Sequence, residues 1–310
     1  MHVSGKLQRA APRFLAVVAL GFLLAIGLPA GQETYPGSNG SPRTRVSGSN
    51  TGSHPGFQKT LLIWADTRNG IAQHDSVSHA MAIIERLGYE SGAYFAYIRT
   101  DSNIISYHPK MTDGKPASGG PSLGKVDAIF FLGHREIDLD QEQRADLLKF
   151  VHDEGKGFVA AHTALTAFDS WPEFKELLGG RFDGHPWGIT EAQIINEEPT
   201  FPAVHYLPRV FTLKDEFYQP KEFSRQQIDV LLRLDTSHLD MSRPSVHLKD
   251  GDVPLAWAKM YGKGRVFYSS LGHDAKTWDN PDIQKMYFEA IKWALRLTDA
   301  NPDPHPMRNP

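Results

Sequence analysis

The expected fold depends on one stretch, Gly157-Phe158-Val159-Ala160-Ala161-His162-Thr163-Ala164. Its apolar run is short and follows a glycine, which is typical of a strand that is buried on both faces of a sheet. His162 stands where this strand should end, and small residues follow it, as a tight turn requires. In open α/β sheets, ligands bind beyond the carboxyl ends of the strands. His162 is therefore either a proton-transfer or metal-binding group, or a core or helix-capping histidine.

Three other apolar runs also end in a polar, titratable residue. They are Leu61–Ala65 before Asp66, Asp127–Leu132 before Gly133-His134, and Val266–Leu271 before Gly272-His273. If these strands lie side by side in a parallel sheet, their ends meet in one crevice. The alternation of strand and helix favours βαβ units. We therefore expect an α/β fold with a flavodoxin-like, doubly wound, mostly parallel sheet and a late β-hairpin over residues 254–270.

Composition excludes several classes of function. The 310 residues are enough for a large core, and 33 Lys and Arg against 36 Asp and Glu give a net charge of −3. The sequence has no basic run, so nucleic acid is not an expected partner. The chain has no cysteine, which excludes structural disulfides, cysteine-based zinc sites and a thiol nucleophile.

The chain is predicted to divide into four segments. Residues 1–30 have the pattern of a secretory signal peptide, with basic residues before an apolar run and small residues after it. We expect cleavage, because the run is short for a membrane span of about 20 residues, and an uncleaved anchor is the alternative. Residues 31–58 are expected to be a disordered linker, 59–298 the α/β domain and 299–310 a Pro-rich tail. The protein would then be periplasmic or secreted, with no membrane attachment.

Other candidate site residues lie in the loops. His74 precedes a predicted helix at the carboxyl end of the first strand. Asp169 and Trp171 follow the central strand in an aromatic segment that suits carbohydrate binding, with core packing as the alternative for Trp171. The remaining candidates occur in later predicted loops and are His185, Glu216 and Tyr218.

Six motifs are similar to those of one known family. They are Ile71-Ala-Gln-His74-Asp-Ser, Gly157-Phe-Val-Ala-Ala-His162-Thr-Ala, Asp169-Ser-Trp171-Pro-Glu-Phe, Gly180-Arg-Phe-Asp-Gly-His185-Pro, Leu213-Lys-Asp-Glu216-Phe-Tyr218 and Gly264-Arg-Val-Phe-Tyr-Ser-Ser-Leu-Gly-His273. Together they resemble the ThuA-like (trehalose utilisation) family, whose fold is similar to the class I glutamine amidotransferase domain. Two positions depart from the family pattern. Phe201 precedes a proline where family members often have His, and His134 matches no family position, so neither is expected to carry chemistry.

The resemblance also implies which activity is missing. In the amidotransferase fold, a cysteine nucleophile occupies the turn after the central strand, and a histidine base follows a later strand. His162 stands at the nucleophile turn here and His273 at the base position. An imidazole does not easily perform the acyl transfer of a thiol, so glutaminase activity is not expected.

Four hypotheses about function remain open from the sequence. The first is an exported carbohydrate-active enzyme that catalyses hydrolysis, elimination or isomerisation, with His162 and His273 as general acid and base. The family resemblance implies a disaccharide or keto sugar as its substrate. The second adds a divalent metal such as zinc. The third is a non-catalytic sugar-binding module, and the fourth is a structural role for the histidines.

These hypotheses assign overlapping sets of residues. The catalytic candidates are His74, His162 and His273. The substrate-binding candidates are Asp169, Trp171, His185, Glu216 and Tyr218. The metal-binding candidates are His74, His162, His185 and His273. The expected partner is a small carbohydrate.

Overall fold

Strands and helices alternate through the first half of the domain, as the sequence predicts. The structure is a computed structural model that describes residues 56–117 and 121–308. The first elements are β1 (Thr60–Trp64), α1 (Ser76–Ser91), β2 (Phe95–Arg99), β3 (Ala128–Phe131), α2 (Gln141–His152), β4 (Gly157–Ala161) and α3 (Pro172–Leu178). The later ones are β5 (Arg181–Gly184), β6 (Ile189–Asn196), β7 (Val210–Glu216), β8 (Gln219–Lys221), β9 (Asp229–Leu234), β10 (Pro254–Tyr261), β11 (Gly264–Ser269), α4 (Ala275–Asp279) and α5 (Pro281–Ala294).

Nine strands form one sheet, in the order β2-β1-β3-β4-β11-β10-β9-β6-β7. The five strands from β2 to β11 are parallel, and each pair from β11 to β7 is antiparallel. β10 and β6 therefore run opposite to β11, whereas β9 and β7 run in the same direction as β11. Seven of the nine strands share one direction. The predicted α/β, flavodoxin-like, mostly parallel sheet with a late hairpin is confirmed.

Helices cover both faces of the sheet, which produces two separate cores. Successive residues of a strand point to opposite faces. Leu61 and Ile63 therefore join the core that contains α1 and α5, whereas Leu62 and Trp64 join the core that contains α2 and α3. All five residues of β4 are buried. Burial on both faces explains why this strand reads as a continuous apolar run.

Local capping signals set the helix ends that frame the carboxyl edge of the sheet. Asp140 precedes α2, and its carboxylate accepts a hydrogen bond from the backbone N–H of Gln143 at 2.8 Å, while Gln143 Oε1 accepts from the N–H of Asp140 at 3.1 Å. This reciprocal pair is a capping box. Asn280 caps α5, because its side-chain oxygen accepts a hydrogen bond from the backbone N–H of Asp282 at 2.9 Å. Pro281 occupies the first position of this helix.

The second half of the sheet contains strands that the sequence did not reveal. Asp215 and Glu216 were expected to lie in a loop, yet they are the last two residues of β7, which pairs with β6 along its whole length. β7 is an edge strand with several partly exposed residues, so it lacks the continuous apolar run by which the buried strands were recognised. The short strands β5 and β8, which pair with each other outside the main sheet, carry no clear pattern.

Some predicted segments lie outside the described residues. The signal peptide and residues 31–55 of the linker are among them, and β1 begins at Thr60, next to the predicted domain boundary. In the two described ranges, no helix is both long and apolar enough to cross a membrane. The described part of the Pro-rich tail packs on the domain, because His305 is 6% exposed and the N–H of Arg308 bonds Glu197 at 3.0 Å.

Candidate metal centre

His162 and His273 meet because the strands that carry them are neighbours. β4 and β11 are parallel, and the last residue of each, Ala161 and Ser269, pair in register. The chains that follow both strands therefore leave the sheet at the same edge. His162 Nε2 and His273 Nδ1 lie 3.3 Å apart, as the convergence of strand ends predicts.

His162 occupies a strained turn that its surroundings hold in place. Its φ of 41° lies in the left-handed region, which costs a non-glycine residue on the order of 1 kcal/mol. The hydroxyl of Tyr268 donates a hydrogen bond to the backbone carbonyl of His162 at 3.1 Å, and the side chain is 1% exposed. Strain of this kind is concentrated at functional sites.

The hydrogen bonds of His162 determine which of its ring nitrogens is free. Nδ1 lies 2.6 Å from the backbone carbonyl of Ser270, which can only accept, so Nδ1 carries the hydrogen. Burial lowers the pKa of His162 to about 3, so the ring is neutral and Nε2 presents a lone pair to His273. A metal-bound histidine has this same arrangement. A neutral ring whose only N–H is already engaged does not suit the predicted role of general acid.

Glu216 joins the two histidines from the far edge of the sheet. Its Oε2 lies 3.1 Å from His273 Nδ1 and 3.6 Å from His162 Nε2. β7 is four places from β11 in the sheet, which would correspond to about 19 Å if the sheet were flat. The sheet must therefore coil strongly to bring the end of β7 to this site.

Asp215 fixes the relative position of Glu216 and His273, and sequence reasoning missed it. Its buried carboxylate accepts hydrogen bonds from the backbone N–H groups of Gly272 at 2.7 Å and His273 at 3.1 Å. Burial raises the pKa of Asp215 to about 6, against the lowering effect of these bonds. In the sequence, Asp215 is recognisable only as a carboxylate directly beside Glu216. The contact that gives it a role is with Gly272, which is 57 residues away.

His273 and Glu216 form an ion pair. The hydrogen bond to Glu216 raises the pKa of His273. Burial opposes the ionisation of Glu216, but the hydrogen bond and the charge of His273 outweigh it, so the pKa of Glu216 is lowered. The pair therefore favours a protonated imidazole next to a carboxylate, and a cation that binds there must displace this proton.

His74 completes the group from the loop before α1. Its ring centroid lies 4.8 Å from that of His273 and 5.1 Å from that of His162. Burial lowers the pKa of His74, and the charge of His273 lowers it further. The hydroxyl of Ser76, the first residue of α1, donates to the backbone carbonyls of Gly272 and His273 at 3.2 and 2.9 Å. The start of the helix is thereby attached to the turn that carries His273.

The spacing of these side chains fits a metal ion. His74, His162, Glu216 and His273 each offer one ligand atom, and the four atoms lie within 4.8 Å of one another. Ligand atoms of a tetrahedral zinc site with bonds of about 2.1 Å are separated by about 3.4 Å. The three separations among His162, Glu216 and His273, at 3.1, 3.3 and 3.6 Å, are close to that value. We call these four residues the histidine cluster.

Comparison with known proteins identifies the family. The sequence matches the ThuA family, described as trehalose utilisation, over residues 60–294. The chain belongs to the ThuA family. Two solved structures share its fold, both of proteins described as ThuA-like. The one from Bacteroides uniformis has 21% identity and a TM-score of 0.60, covering 82% of this chain and 95% of its own. The one from Parabacteroides merdae has 18% identity and a TM-score of 0.57, covering 79% and 95%.

The predicted family is therefore confirmed, and the two structures support the predicted fold. A comparison with curated proteins gave no match. The family match extends from the first residue of β1 to the last residue of α5. It therefore includes every member of the histidine cluster.

Two further candidates from the ThuA motifs lie around the cluster. His185 is half-exposed, and its Nδ1 is 3.5 Å from Glu216 Oε1. It contacts the oxygen of Glu216 that faces away from the other histidines, so it lies at the rim. His185 was one of the four predicted metal ligands, but among the described residues the ligand atoms within 4.8 Å of one another include Glu216 in its place. Tyr218 is buried, and its ring stacks on that of His162 with centroids 4.2 Å apart. Tyr218 thus supports His162 as well as bordering the site.

The structure does not support two of the predicted sugar-binding residues. Trp171 is 4% exposed and lies in the core, where its ring stacks on Phe174 with centroids 5.7 Å apart. No face of this ring is free to stack on a sugar. Asp169 has a side chain that is 75% exposed and forms an ion pair with Arg181 at 3.5 Å. Among the described residues, it makes no hydrogen bond or ion pair with the cluster.

His134 and Asp66, the other two strand-end residues, have unequal outcomes. His134 was expected to have no role, yet its ring centroid lies 5.3 Å from that of His74. Its pKa is lowered to about 4 by burial, and its buried Nδ1 has no hydrogen-bond partner in the described part of the chain. The carboxylate of Asp66 instead bonds Ser102 at 2.6 Å and Arg68 at 3.0 Å, and it takes no part in the cluster.

The burial of neutral His162 predicts that this residue contributes an acid-dependent loss of stability to the metal-free protein. His162 takes up a proton near pH 6.5 when unfolded but only near pH 3 when folded. The unfolded state therefore binds more protons as the pH falls below 6.5, and the free energy of unfolding decreases by up to ~1.4 kcal/mol per pH unit for this residue. The raised pKa values of Asp215 and His273 act in the opposite direction. The contribution of His162 is therefore measured against a variant that lacks only this imidazole, by urea unfolding of chelator-treated protein at pH 7, 6 and 5.

The free energy of unfolding of wild type minus that of the His162→Gln variant should decrease as the pH falls from 7 to 5. His238→Gln is the matched control, because His238 is exposed and its side chain makes no hydrogen bond within the described residues. An equal pH dependence in wild-type and His162→Gln would show that His162 is already protonated in the folded protein.

Proposed function

We propose that this protein is a metal-dependent enzyme that acts on a carbohydrate. The observation that carries the proposal is the set of distances, 3.1 to 3.6 Å, among His162 Nε2, His273 Nδ1 and Glu216 Oε2. His74 approaches the same point from another loop. Four ligand groups from separate parts of the chain are held close together by hydrogen bonds to the backbone.

A metal centre accounts for this arrangement better than an acid–base pair of histidines. Because His162 is neutral and its N–H is engaged by Ser270, it can offer a lone pair but not a proton. A pair that works as general acid and general base needs both partners to gain and lose a proton near neutral pH. His162 does not meet this condition, whereas a ligand to zinc or a similar ion requires a lone pair on a neutral ring.

The reaction class follows from the chemistry that such a centre supports. A bound divalent metal polarises a carbonyl or hydroxyl oxygen. His185 then provides a half-exposed imidazole at the rim, where it can exchange a proton with substrate. Asp215 holds His273 in place, by accepting a hydrogen bond from its backbone N–H. We therefore assign a hydrolysis, elimination or isomerisation next to a sugar carbonyl. The chain has no cysteine, so a thiol-dependent glutaminase reaction is not part of the proposal.

The carbohydrate substrate and the cellular location rest on different grounds. The description of the family as trehalose utilisation supports a disaccharide or keto sugar as substrate. The composition of residues 1–30 supports export to the periplasm or the medium. A non-catalytic sugar-binding module is the competing proposal, and the burial of Trp171 removes the aromatic face that supported it.

Turnover before and after metal removal tests this function. Chelator-treated protein and the same protein reloaded with Zn²⁺ or Mn²⁺ would be incubated with trehalose, other disaccharides and their keto derivatives, and products followed by NMR. We expect product only in the reloaded samples, and a rate about 100-fold lower for Glu216→Gln, because that variant loses the anionic ligand. Equal turnover without metal would contradict the metal-dependent mechanism. Saturable binding without product would establish the binding module.

A further inference from the structure

A large polar cavity lies at the same edge of the sheet as the histidine cluster. Its volume is about 680 Å³, within the range of ligand-binding sites. The wall is formed by the loops that follow β1, β2 and β3, together with the start of α2. These loops leave the sheet at the carboxyl ends of the strands, which is also the edge that carries His162 and His273. We call this cavity the polar groove.

We propose that the polar groove binds the sugar rings of the substrate that are not attacked at the histidine cluster. This inference rests on the proposed function and adds to it the place and chemical class of the distal part of the substrate. The ligand is an uncharged, polyhydroxylated molecule, such as a neutral disaccharide or short oligosaccharide.

The lining of the groove matches a polyhydroxylated ligand. Twelve of its fourteen lining residues are polar or charged, the exceptions being Met111 and Gly114. Sites for most small molecules are lined mainly by apolar and aromatic side chains. A groove with this polar lining has little apolar surface to bury but many donors and acceptors, which is what a molecule covered with hydroxyl groups requires.

Three lining side chains are available for such hydrogen bonds. Asn103, His108 and Asp138 are exposed, and within the described residues their side chains form no hydrogen bond or ion pair. An amide and a carboxylate together can donate to and accept from neighbouring hydroxyl groups. The charged residues Lys110 and Glu142, in contrast, are paired with each other at 2.6 Å.

The charge of the groove argues against an anionic ligand. Its lining contains two basic residues, Arg68 and Lys110, and four acidic ones, Asp66, Asp138, Asp140 and Glu142. The formal charge is therefore 2 − 4 = −2 with histidines neutral. A phosphorylated sugar or a uronic acid would be repelled by this charge, whereas a neutral sugar would not.

A chain of contacts connects the groove to the cluster. Asn69 lines the groove, and its Nδ2 donates to the backbone carbonyls of His134 at 2.6 Å and Glu136 at 3.1 Å. The ring of His134 packs against His74. Asn69 and His74 also belong to the same loop after β1. A ligand that fills the groove thus lies against the loop that positions a member of the cluster.

Calorimetric titration of the purified protein would test the groove. The ligands would be trehalose and maltotriose as neutral sugars and glucose 6-phosphate as an anionic one. We expect at least one neutral sugar to bind, and its Kd to rise about 10-fold in Asp138→Ala and in Asn103→Ala. Both residues are exposed, so the fold should be unaffected, which thermal melting would check. Glu191→Ala, an exposed position on β6, is the matched control and should bind as the wild type does.

The possible results separate this proposal from the proposed function. Unchanged Kd values in both groove variants, tighter binding of glucose 6-phosphate, or no binding of either neutral sugar to the wild type would each overturn the groove assignment. Metal content, measured on the same samples, should be equal in wild type and groove variants. Absence of metal from all of them, even after reloading, would refute the proposed metal centre while leaving the sugar titrations to judge the groove.

Discussion

Replacement of His162 by alanine is expected to lower the affinity of the protein for zinc by about 100-fold or more. Loss of a residue that merely orients a ligand already costs 10- to roughly 100-fold in affinity, and His162 is proposed as a ligand itself. Its Nε2 carries a buried lone pair that faces His273 Nδ1 at 3.3 Å, and it belongs to the group of ligand atoms that lie within 4.8 Å of one another. Elemental analysis of the purified protein, followed by competition with a chelating dye, would measure the change.

Three variants make this measurement specific. His273→Ala should lose metal to a similar degree, because His273 belongs to the same group of ligand atoms. His185→Ala should bind nearly as the wild type does, because His185 contacts only the outer oxygen of Glu216. His238→Ala, at an exposed site, is the control. Metal retained at full stoichiometry in both His162→Ala and His273→Ala would eliminate the metal centre and favour an acid–base or binding role.

The sequence revealed the parts of the site that follow buried parallel strands. His162 and His273 each come directly after an apolar run, and adjacent parallel strands necessarily deliver such residues to one edge of the sheet. His74 precedes a helix after the first strand and could be placed by the same reasoning. For these three residues, local pattern and topology together were sufficient.

The sequence indicated Glu216 as a candidate but did not indicate its position relative to His273. Glu216 was a candidate, but it was expected in a loop, because β7 is a partly exposed edge strand without an apolar run. Its approach to His273 depends on the coiling of the antiparallel half of the sheet. Asp215 bonds a turn that is 57 residues away. Neither relationship leaves a periodic signal in the sequence.

The surroundings of Trp171 and His134 could not be predicted from these residues alone. Trp171 lies in a segment with the composition of a sugar-binding loop, but the cluster of Phe168 and Phe174 around it makes it part of the core. His134 was set aside because it matches no ThuA motif, although it follows a strand as His162 does. Its ring lies beside that of His74, as expected for residues that follow neighbouring parallel strands.

Replacement of Glu197 by alanine is expected to reduce the free energy of unfolding by about 3 to 5 kcal/mol, the cost of removing one partner from a buried ion pair. Glu197 follows β6 and is fully buried. Its carboxylate accepts hydrogen bonds from Arg225 Nη1 at 2.8 Å, from Arg233 Nε at 2.6 Å and from the backbone N–H of Arg308 at 3.0 Å. Without it, two largely buried guanidinium groups lose a counter-ion.

Arg225 and Arg233 do not depend equally on Glu197, so the expected loss of stability can be assigned mainly to one of them. Arg225 is also held by Asp252, with contacts of 2.7 and 2.8 Å, so it keeps one carboxylate in the variant. Arg233 has no second carboxylate partner among the described residues, and its side chain is 7% exposed. Most of the destabilisation should therefore come from Arg233. The double variant Glu197→Ala/Arg233→Met should recover part of the loss, because it removes the unpaired charge.

Urea unfolding of wild type, Glu197→Ala and the double variant would test these values, with Glu191→Ala as an exposed control that should change stability by less than about 0.5 kcal/mol.

Glu197 also bonds the N–H of Arg308, so the same variant should release the C-terminal residues and make them more susceptible to protease. Within the described residues, Glu197 forms no bond to the histidine cluster, and the folded variant should keep its metal. A loss below about 1 kcal/mol would mean that solvent reaches these arginines and that the tail is held by its other contacts, such as His305 on β9.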